Sequence, residues 1–376
     1  VLGKKGESVA IGRLERFVAD WQLSQNEDIQ PMTFAADAQK VAVIGAGMMG
    51  KNHLRTYKSL PGVELVGVYD VFSESAQKAA EMFNIKAFSS LEEVAHNVDA
   101  VSVVTTSVAH CEVGEFFLNH GIHCMIEKPL ATTEEECYRL INAAKNNNVT
   151  LLVGHIERFN PAVEQMGKIL SDTSKIRSIT AQRMSAASGR ITDVDVAMDL
   201  MIHDVEVIQS LVKSPVAHVQ AAAVKTADNA SGKNYITALL EFENGATANI
   251  TASRITQARV RTLTVTTDTN YIDMDFINQS INVHSQGRMP YVNQEEIPEW
   301  MNYGLKGSVE QLFIPTNQPL QAELNHFIAC INGEATPRIT GEDALNALRV
   351  IWQIQDALGF ERTIAKPEVE KIALAA

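Results

Sequence analysis

The chain has 376 residues, of which 45% are hydrophobic, and its formal net charge is -13 at pH 7. A chain of this length can form two domains, each with a full hydrophobic core. The acidic balance argues against nucleic-acid and anionic-membrane partners, because both need a basic surface. We therefore expect a globular protein that binds a small molecule.

The four cysteines show neither CxxC spacing nor the density of a disulfide scaffold. Reduced thiols in a cytoplasmic protein, with no metal site, are the expectation. No apolar stretch is long enough for a membrane helix, and no charged start followed by an apolar core indicates a signal peptide. We predict a cytoplasmic protein without a membrane segment.

Residues 1–38 precede the regular pattern of the rest of the chain. Their apolar residues at i, i+3, i+4 and i+7 predict one amphipathic helix, and they are Leu14, Phe17, Val18 and Trp21. We interpret this segment as an N-terminal extension that docks on its own chain or on a partner subunit.

The segment VAVIGAGMMG, residues 41–50, is an apolar run that leads directly into GxGxxG. The first glycine permits a tight turn, the second lets backbone amides approach a pyrophosphate, and the third lets the next helix pack closely on the strand. A bare GxGxxG string also occurs in ordinary turns. The residues expected to meet a dinucleotide here are Gly45, Gly47, Met48, Met49 and Gly50.

A second apolar run, residues 63–69, ends in Asp70, twenty residues after Gly50. A carboxylate at this position accepts hydrogen bonds from the adenosine ribose, and it repels the additional phosphate of NADP. Residues 71–73 offer no cation. We predict that the cofactor is NAD, the alternative for Asp70 being a solvated turn residue at a strand end.

Apolar strands alternate with helical segments from residue 40 to about 156, which predicts a parallel sheet with helices on both faces. The expected segments are 41–45, 49–60, 63–69, 73–83, 98–104, 110–119, 122–126, 133–146 and 149–155. Capping boxes open two of the helices, at Ser90 with Glu93 and at Thr133 with Glu136. The fold class predicted for this half is a Rossmann, doubly wound α/β domain over residues 39–156.

Beyond residue 175 the pattern changes to alternation with a period of two, which predicts a mostly antiparallel sheet. Its strands are expected at 176–184, 216–225, 235–243, 246–254, 260–267 and 270–276, followed by helices at 319–333 and 341–359. We predict an α+β domain over residues 157–360 with helices on one face of an open sheet. The other face would serve a subunit contact in a homodimer or homotetramer, and residues 361–376 would form a tail.

Two further segments carry chemistry. The sequence MIEKP, residues 125–129, places Lys128 after a buried strand, at the sheet edge where ligands bind. The sequence DLMIHD, residues 199–204, places Asp199 and His203 at i and i+4, which gives an imidazole an adjacent carboxylate. Taken singly, Lys128 fits a solvated loop cation, and the second pair fits a helical ion pair or a capped histidine.

GxGxxG with a ribose-binding acid, EKP and a DxxxHD helix occur in this order, and together they resemble the glucose–fructose oxidoreductase and inositol dehydrogenase (Gfo/Idh/MocA) family. The resemblance extends over about residues 40 to 360. It implies an NAD-dependent sugar dehydrogenase in which His203 is the base, Asp199 its orienting neighbour and Lys128 the cation that holds the hydroxyl oxygen. It also implies cofactor contacts from Thr105, Thr106, His110, Glu127 and Lys128.

Within this family the segments GHIERFNPAV, residues 154–163, and RITDV, residues 190–194, most resemble the UDP-N-acetylglucosamine 3-dehydrogenases. This implies oxidation of the 3-hydroxyl of a UDP-N-acetyl-hexosamine. One position departs from the family pattern, because Thr106 stands where proline is common, and this puts the path of that loop in doubt. The residues assigned to the substrate are His155, Arg158, Asn160, Arg183 and Arg190, of which the three arginines are also candidates for ordinary ion pairs.

Three alternatives remain open at the level of sequence. An inositol or free-aldose dehydrogenase of the same family would share the catalytic trio and would not need the arginines. A nucleotide-binding regulator without catalysis is disfavoured because Lys128, Asp199 and His203 are all present. A structural protein would bind no NAD.

Overall fold

A parallel six-stranded sheet forms the first half of the protein. The computed structural model describes residues 38–171, 175–186, 195–225, 231–286 and 307–360. The strand order is β3-β2-β1-β4-β5-β6, and every pair is parallel. The strands are β1 (Gln39–Ile44), β2 (Val63–Tyr69), β3 (Lys86–Ala87), β4 (Ala100–Val103), β5 (His123–Glu127) and β6 (Leu151–Gly154). This is the doubly wound order of dinucleotide-binding domains, with its switch point between β1 and β4.

Helices cover both faces of this sheet, and for that reason β4 and β6 are buried along their whole length. The capping box predicted at Thr133 and Glu136 is present, while Ser90 accepts from the amide of Glu93 as expected. The carboxylate of Glu93 instead reaches back to Ser89. The helices are α1 (Met48–Ser59), α2 (Ser73–Phe83), α3 (Leu91–Ala95), α4 (His110–Asn119) and α5 (Glu134–Asn146).

An eight-stranded sheet forms the second half, in the order β14-β13-β12-β11-β7-β10-β9-β8. The strands are β7 (Ile176–Met184), β8 (Val216–Ala223), β9 (Tyr235–Phe242), β10 (Thr247–Ser253), β11 (Val260–Thr267), β12 (Asn270–Asp275), β13 (Ser280–Gln286) and β14 (Gly307–Gln311). All pairs are antiparallel except β7 with β10. The predicted fold class is confirmed, although the sequence pattern did not indicate β13 or β14.

The outer face of the larger sheet is polar rather than apolar at its centre. The inward residues of β7, β10 and β11 are buried, whereas their outward neighbours are partly or fully exposed. These outward residues include Thr180, Gln182, Asn249, Thr262 and Thr264. The face that was expected to serve a subunit contact is therefore polar at these strands, and the homodimer or homotetramer stays a prediction.

The described residues of the second half form four α-helices: α6 (Pro161–Ile169), α7 (Ile202–Val212), α8 (Pro319–Ile331) and α9 (Gly341–Ala357). Helix α8 adds Leu324, Phe327 and Ile328 to a cluster formed with β1 and α1, so a segment near the C-terminal end of the chain completes the core of the first half. None of the described helices is both long and apolar enough to cross a membrane. The predicted helix at residues 14–21 and the tail at 361–376 lie outside the described residues.

Candidate active site

The glycine turn after β1 has the geometry that a dinucleotide requires. Gly45 has φ +110°, and a Cβ there would lie 2.4 Å from the carbonyl oxygen of Val104. A Cβ on Gly50 would lie 1.9 Å from the carbonyl oxygen of Gly45, so α1 can approach the turn only with glycine at this position. A Cβ on Gly47 would meet nothing within 4 Å. The space in front of the helix N-terminus is therefore open, as bound phosphates need.

Asp70 faces this turn from the end of β2. Its Oδ2 accepts from the amide of Ala46 at 2.7 Å, and its Oδ1 accepts from the amide of Phe72 at 2.9 Å. The carboxylate is partly exposed, so it keeps lone pairs for other donors. Its orientation beside the glycine turn fits the ribose role predicted for it. Met48 and Met49 begin α1 on the open side of the turn and are 62% and 37% exposed.

The loop after β4 contains Thr105, Thr106 and His110. Thr106 has φ -70° and ψ 147°, which is the backbone conformation that proline adopts. Thr106 therefore follows the same backbone path as the proline that is common at this position in the family. His110 is buried, and burial lowers its pKa, so the imidazole is neutral. Its Nδ1 lies 2.8 Å from the carbonyl oxygen of Pro129, which makes His110 a brace between two loops.

Glu127 ends β5 and is connected to α1. Its Oε1 lies 3.1 Å from Nε2 of the buried His53, and its Oε2 accepts from the amide of Lys128 at 3.2 Å. Burial raises the pKa of Glu127, but the hydrogen bond with His53 and the Lys128 cation outweigh burial and hold it below its ordinary value. Gly154 leaves room for this carboxylate, because a Cβ there would lie 3.1 Å from Oε2. Glu127 thus fixes the backbone that presents Lys128.

A buried ion network fixes helix α7 against the large sheet. Arg183 on β7 donates from Nε and Nη2 to the two oxygens of Asp204, at 2.9 and 2.8 Å. Its Nη1 donates to Glu157 Oε1 at 2.7 Å. The guanidinium also lies 5.0 Å from the ring of Phe276. Because Asp204 follows His203 directly, this two-point pairing sets where His203 lies.

Lys128 and Asp199 meet across the two halves of the protein. The Nζ of Lys128 donates to the backbone carbonyl of Asp199 at 2.7 Å and lies 3.6 Å from its Oδ1. The other carboxylate oxygen lies 3.6 Å from Nη1 of Arg254. Asp199 sits in a π-helical turn, Ala197–Met201, which precedes α7. Such turns recur at functional sites.

The predicted pairing of Asp199 with His203 is corrected by this geometry. The carboxylate lies beside two cations, Lys128 and Arg254, and makes no hydrogen bond to His203 in the part of the chain that is described. Burial, followed by the charge of Lys128, lowers the pKa of His203 well below its ordinary value, so its imidazole is neutral. A neutral ring attracts a carboxylate less than two cations do.

His203 and His155 both have buried ring nitrogens that lack a hydrogen-bond partner among the described residues. Nδ1 of His203, and both ring nitrogens of His155, are buried without a hydrogen-bond partner among the described residues. Burial and the charge of Lys128 lower the pKa of His155 to about 3. Both rings are neutral at pH 7 and can each supply one donor and one acceptor.

The structure gives three of the proposed substrate residues other partners. Arg183 is 2% exposed and paired with Asp204 and Glu157, because β7 directs it inward, so we assign it to this ion network instead of a diphosphate. Asn160 caps α6 by accepting from Ala162 and donates to the carbonyl of Phe276, so its described contacts are with the protein itself and its substrate role stays a prediction. Arg158 pairs with Glu206 at 2.6 Å. Arg190 lies outside the described residues.

Four residues near the site were not singled out from the sequence. Arg254 follows β10, and Arg261 lies on the inward face of β11, opposite Arg183 in the register. Arg261 is 35% exposed at its side chain and contacts Glu157 at 3.8 Å. The period-two pattern of β11 could have indicated that Arg261 points inward. The other two are His53 and Glu323, both fully buried.

The glycine turn and Lys128 lie at the same carboxyl edge of the parallel sheet, and Lys128 contacts Asp199 at the boundary with a second domain. This fold and site define a two-domain, NAD-binding dehydrogenase. Sequence comparison specifies the class further. Residues 39–155 match the family description "Oxidoreductase family, NAD-binding Rossmann fold", and residues 172–272 match "GFO/IDH/MocA C-terminal domain". The chain belongs to the Gfo/Idh/MocA family of oxidoreductases.

Individual relatives support the same assignment. The UDP-N-acetylglucosamine 3-dehydrogenase of Acidithiobacillus ferrooxidans is 32% identical over 248 residues, which are 66% of this chain and 77% of the relative. A solved structure of that enzyme has a TM-score of 0.76 at 29% identity, covering 85% of this chain and 97% of the other. The D-apiose dehydrogenase of Paraburkholderia graminis is 23% identical over 332 residues, 83% of this chain and 85% of the relative. GenD2 from gentamicin A biosynthesis, solved with NAD, shares the fold at a TM-score of 0.70 and 19% identity, covering 88% of this chain and 97% of the other.

Proposed function

We propose that this protein oxidises the 3-hydroxyl of a UDP-N-acetyl-hexosamine to a ketone, with NAD as the oxidant. The observation that carries the proposal is the contact between Lys128 and Asp199 across the two halves of the protein. The charge of Lys128 also acts on the neutral imidazole of His203, whose pKa it lowers. A cation and a free base on opposite sides of one hydroxyl are what the removal of its proton requires.

His203 is proposed as the group that takes the hydroxyl proton. The imidazole is neutral at working pH because its pKa is lowered. Since Nδ1 is buried, we assign Nε2 as the nitrogen that accepts the hydroxyl proton. When bound, NAD would supply the acceptor for the hydride of the carbinol carbon, while the electron pair of the O–H bond would form the second carbon–oxygen bond. The proton ends on His203 and the electron pair of the C–H bond leaves with the hydride.

Lys128 is proposed to stabilise the hydroxyl oxygen while negative charge develops on it. The carbonyl of Asp199 holds Nζ at 2.7 Å, which fixes the direction of the cation. The Asp199 carboxylate balances Lys128 and Arg254, so we assign it to these cations rather than to the imidazole. Asp70, Gly45, Gly47 and the start of α1 are proposed to hold the ribose and the pyrophosphate of NAD.

The nucleotide part of the substrate is proposed to meet Arg261, with Arg254 and Arg190 as further candidates. Burial, followed by the charge of Arg183, lowers the pKa of Arg261, so an anionic group beside it would stabilise its charged form. The guanidinium is partly exposed, and its one described carboxylate contact is long. The likeness to a UDP-N-acetylglucosamine 3-dehydrogenase over 248 residues supports the same substrate class.

The test is a panel of UDP-sugars and free polyols incubated with NAD, in which NADH absorbance is followed. We expect UDP-N-acetyl-hexosamines to be oxidised and free N-acetylglucosamine and inositol to be poor substrates. Arg261→Gln should raise KM for the UDP-sugar, while Arg177→Gln, on the same sheet and 65% exposed, should not. More efficient oxidation of inositol or a free aldose would contradict the proposal and identify an inositol or free-aldose dehydrogenase instead.

A further inference from the structure

A groove lies between α7 and α9 and is lined by none of Lys128, Asp199 or His203. Its main cavity has a volume of about 580 Å³. A second cavity of about 340 Å³ adjoins it against α6, and the two share Arg158, Ser210, Lys213 and Arg338 as lining residues. Small-molecule sites in proteins have volumes of roughly 300–1,000 Å³. The groove is therefore large enough for a metabolite.

The lining of the groove carries an excess of positive charge, although the whole chain is acidic. Its five cations come from separate parts of the fold and outnumber the lining carboxylates Glu164, Glu206 and Asp343. Three of these cations, Arg158, Arg338 and Arg349, already pair with a carboxylate. In the described ranges, neither Lys168 nor Lys213 has a carboxylate partner, so their charges are available to a ligand. The cations are Arg158, Lys168, Lys213, Arg338 and Arg349.

Glu206 gives the groove a buried polar atom without a partner. The residue is 3% exposed, and its Oε1 accepts from Arg158 Nη1 at 2.6 Å. Its Oε2 is buried and makes no hydrogen bond within the described part of the chain. Burial raises the pKa of Glu206 to about 7, with Arg158 opposing the shift and Asp343 adding to it. A protonated Oε2 would be a hydrogen-bond donor beside these cations.

We propose that the groove between α7 and α9 binds a small phosphorylated anion, a phosphate or diphosphate ester, at a site separate from the dehydrogenase site. Arginine and lysine side chains approach the cavity from several elements, which suits a tetrahedral group with oxygens in several directions better than a planar carboxylate. The unpaired oxygen of Glu206 supplies one further donor when it is protonated. Lys213 and Lys168 supply charge that no carboxylate of the described residues neutralises.

The position of the groove connects it with the dehydrogenase site. Glu206 follows His203 by three residues on α7, and Arg158 follows His155 by three residues in the turn before α6. A ligand that bridges Arg158 and Lys213 would therefore contact both segments that carry the buried histidines. The proposed anion is a regulatory ligand and is not the sugar substrate.

The experiment is calorimetric titration of pyrophosphate into the full chain saturated with NAD, so that the glycine turn is already filled. We expect Lys213→Met to weaken binding by about tenfold, or roughly 1.4 kcal/mol. Lys78→Met is the matched control, because Lys78 is exposed on α2 and far from the lining residues in the fold, and it should leave the affinity unchanged. Higher salt should weaken binding in proportion to the charges used.

A second variant tests the role of Glu206. The amide of Glu206→Gln keeps a donor at every pH, so binding should fall less between pH 6 and pH 8 than in the unaltered protein. The proposal is overturned by equal affinities of the Lys213→Met and unaltered proteins, or by the absence of heat at about 1 mM pyrophosphate. It is also overturned if Arg261→Gln, rather than Lys213→Met, abolishes binding. None of these outcomes depends on which sugar is oxidised.

Discussion

Lys128 holds Asp199 by two contacts, a hydrogen bond to its carbonyl oxygen at 2.7 Å and an ion pair at 3.6 Å to its carboxylate. Lys128 directly follows strand β5 of the nucleotide-binding sheet, and Asp199 precedes the helix that carries His203. The carboxylate thus connects the two halves of the protein at the point where the substrate is proposed to bind. We propose that it balances the charges of Lys128 and Arg254 there.

Asp199→Asn should lower kcat/KM by about tenfold to a hundredfold, because Lys128 and Arg254 lose the charge that positions them. The excess positive charge should lower the pKa of His203 further, so the acidic limb of the pH–rate profile should move to lower pH. The measurement is kcat/KM as a function of pH. Asp268→Asn, an exposed ion-pair residue, is the control. A shift of the limb to higher pH would show that Asp199 acts on His203 in another way.

His203→Ala should lower turnover by about a hundredfold to ten-thousandfold, the usual contribution of a positioned base. NAD affinity should remain unchanged, since no described cofactor feature depends on this ring. Steady-state kinetics and a fluorescence titration with NADH measure the two quantities. His218→Ala, on the exposed part of β8, is the matched control. Undiminished turnover of the His203→Ala enzyme would remove the base assignment.

Gly47→Ala and Gly50→Ala should separate cofactor binding from folding. The Cβ at position 47 meets no atom within 4 Å, so Tm should be retained while NAD affinity falls by about tenfold or more. The Cβ at position 50 lies 1.9 Å from a backbone oxygen, so the protein should lose about 3 kcal/mol or more of stability. Thermal melts and calorimetry measure both. Equal destabilisation by the two substitutions would contradict the turn geometry.

His155 should make the protein sensitive to acid. Its pKa is about 3 in the fold and near 6.5 when the chain is unfolded, so the unfolded state binds the proton first as pH falls. Above pH 6.5 the ring is neutral in both states, and its full contribution to stability is present. Below pH 6.5 protonation of the unfolded chain lowers the free energy of unfolding, by about 2 kcal/mol at about pH 5. The buried His203, whose pKa is also lowered, acts in the same direction.

The measurement is the free energy of unfolding in urea at about pH 7.5 and about pH 5. His155→Gln should show a smaller loss between the two conditions than the unaltered protein, whatever its absolute stability. His96→Gln, at an exposed helix end, should show the full loss. A pH dependence of the His155→Gln protein identical to that of the unaltered protein would contradict the assignment.

Local signals in the sequence predicted much of the fold. The apolar runs and the glycines of residues 41–50 specify a strand, a turn and a helix within one short segment, and the structure has all three. Thr133 and Thr340 open their helices with capping boxes for the same local reason. Strands β13 and β14 were missed because they pair at the edge of the sheet, where burial imposes less of the period-two pattern.

The site residues were harder to assign, because their roles depend on which distant partners they meet. Arg183 is as cationic in the sequence as Arg261, but β7 directs the first between Asp204 and Glu157. The i, i+4 spacing of Asp199 and His203 is local, whereas the cations that attract the carboxylate come from residues 128 and 254. Contacts between residues so far apart in the chain produce no recognisable spacing in the sequence.

The most direct test of the proposed reaction uses UDP-N-acetylglucosamine carrying deuterium at C3. The enzyme is incubated with this sugar and NAD, and the reduced cofactor is analysed by mass spectrometry. We expect the deuterium to appear in the nicotinamide ring, and we expect the His203→Ala enzyme to form far less of this product. Unlabelled NADH from the labelled sugar, or no reduced cofactor from UDP-N-acetylglucosamine while a free polyol is oxidised, would contradict it.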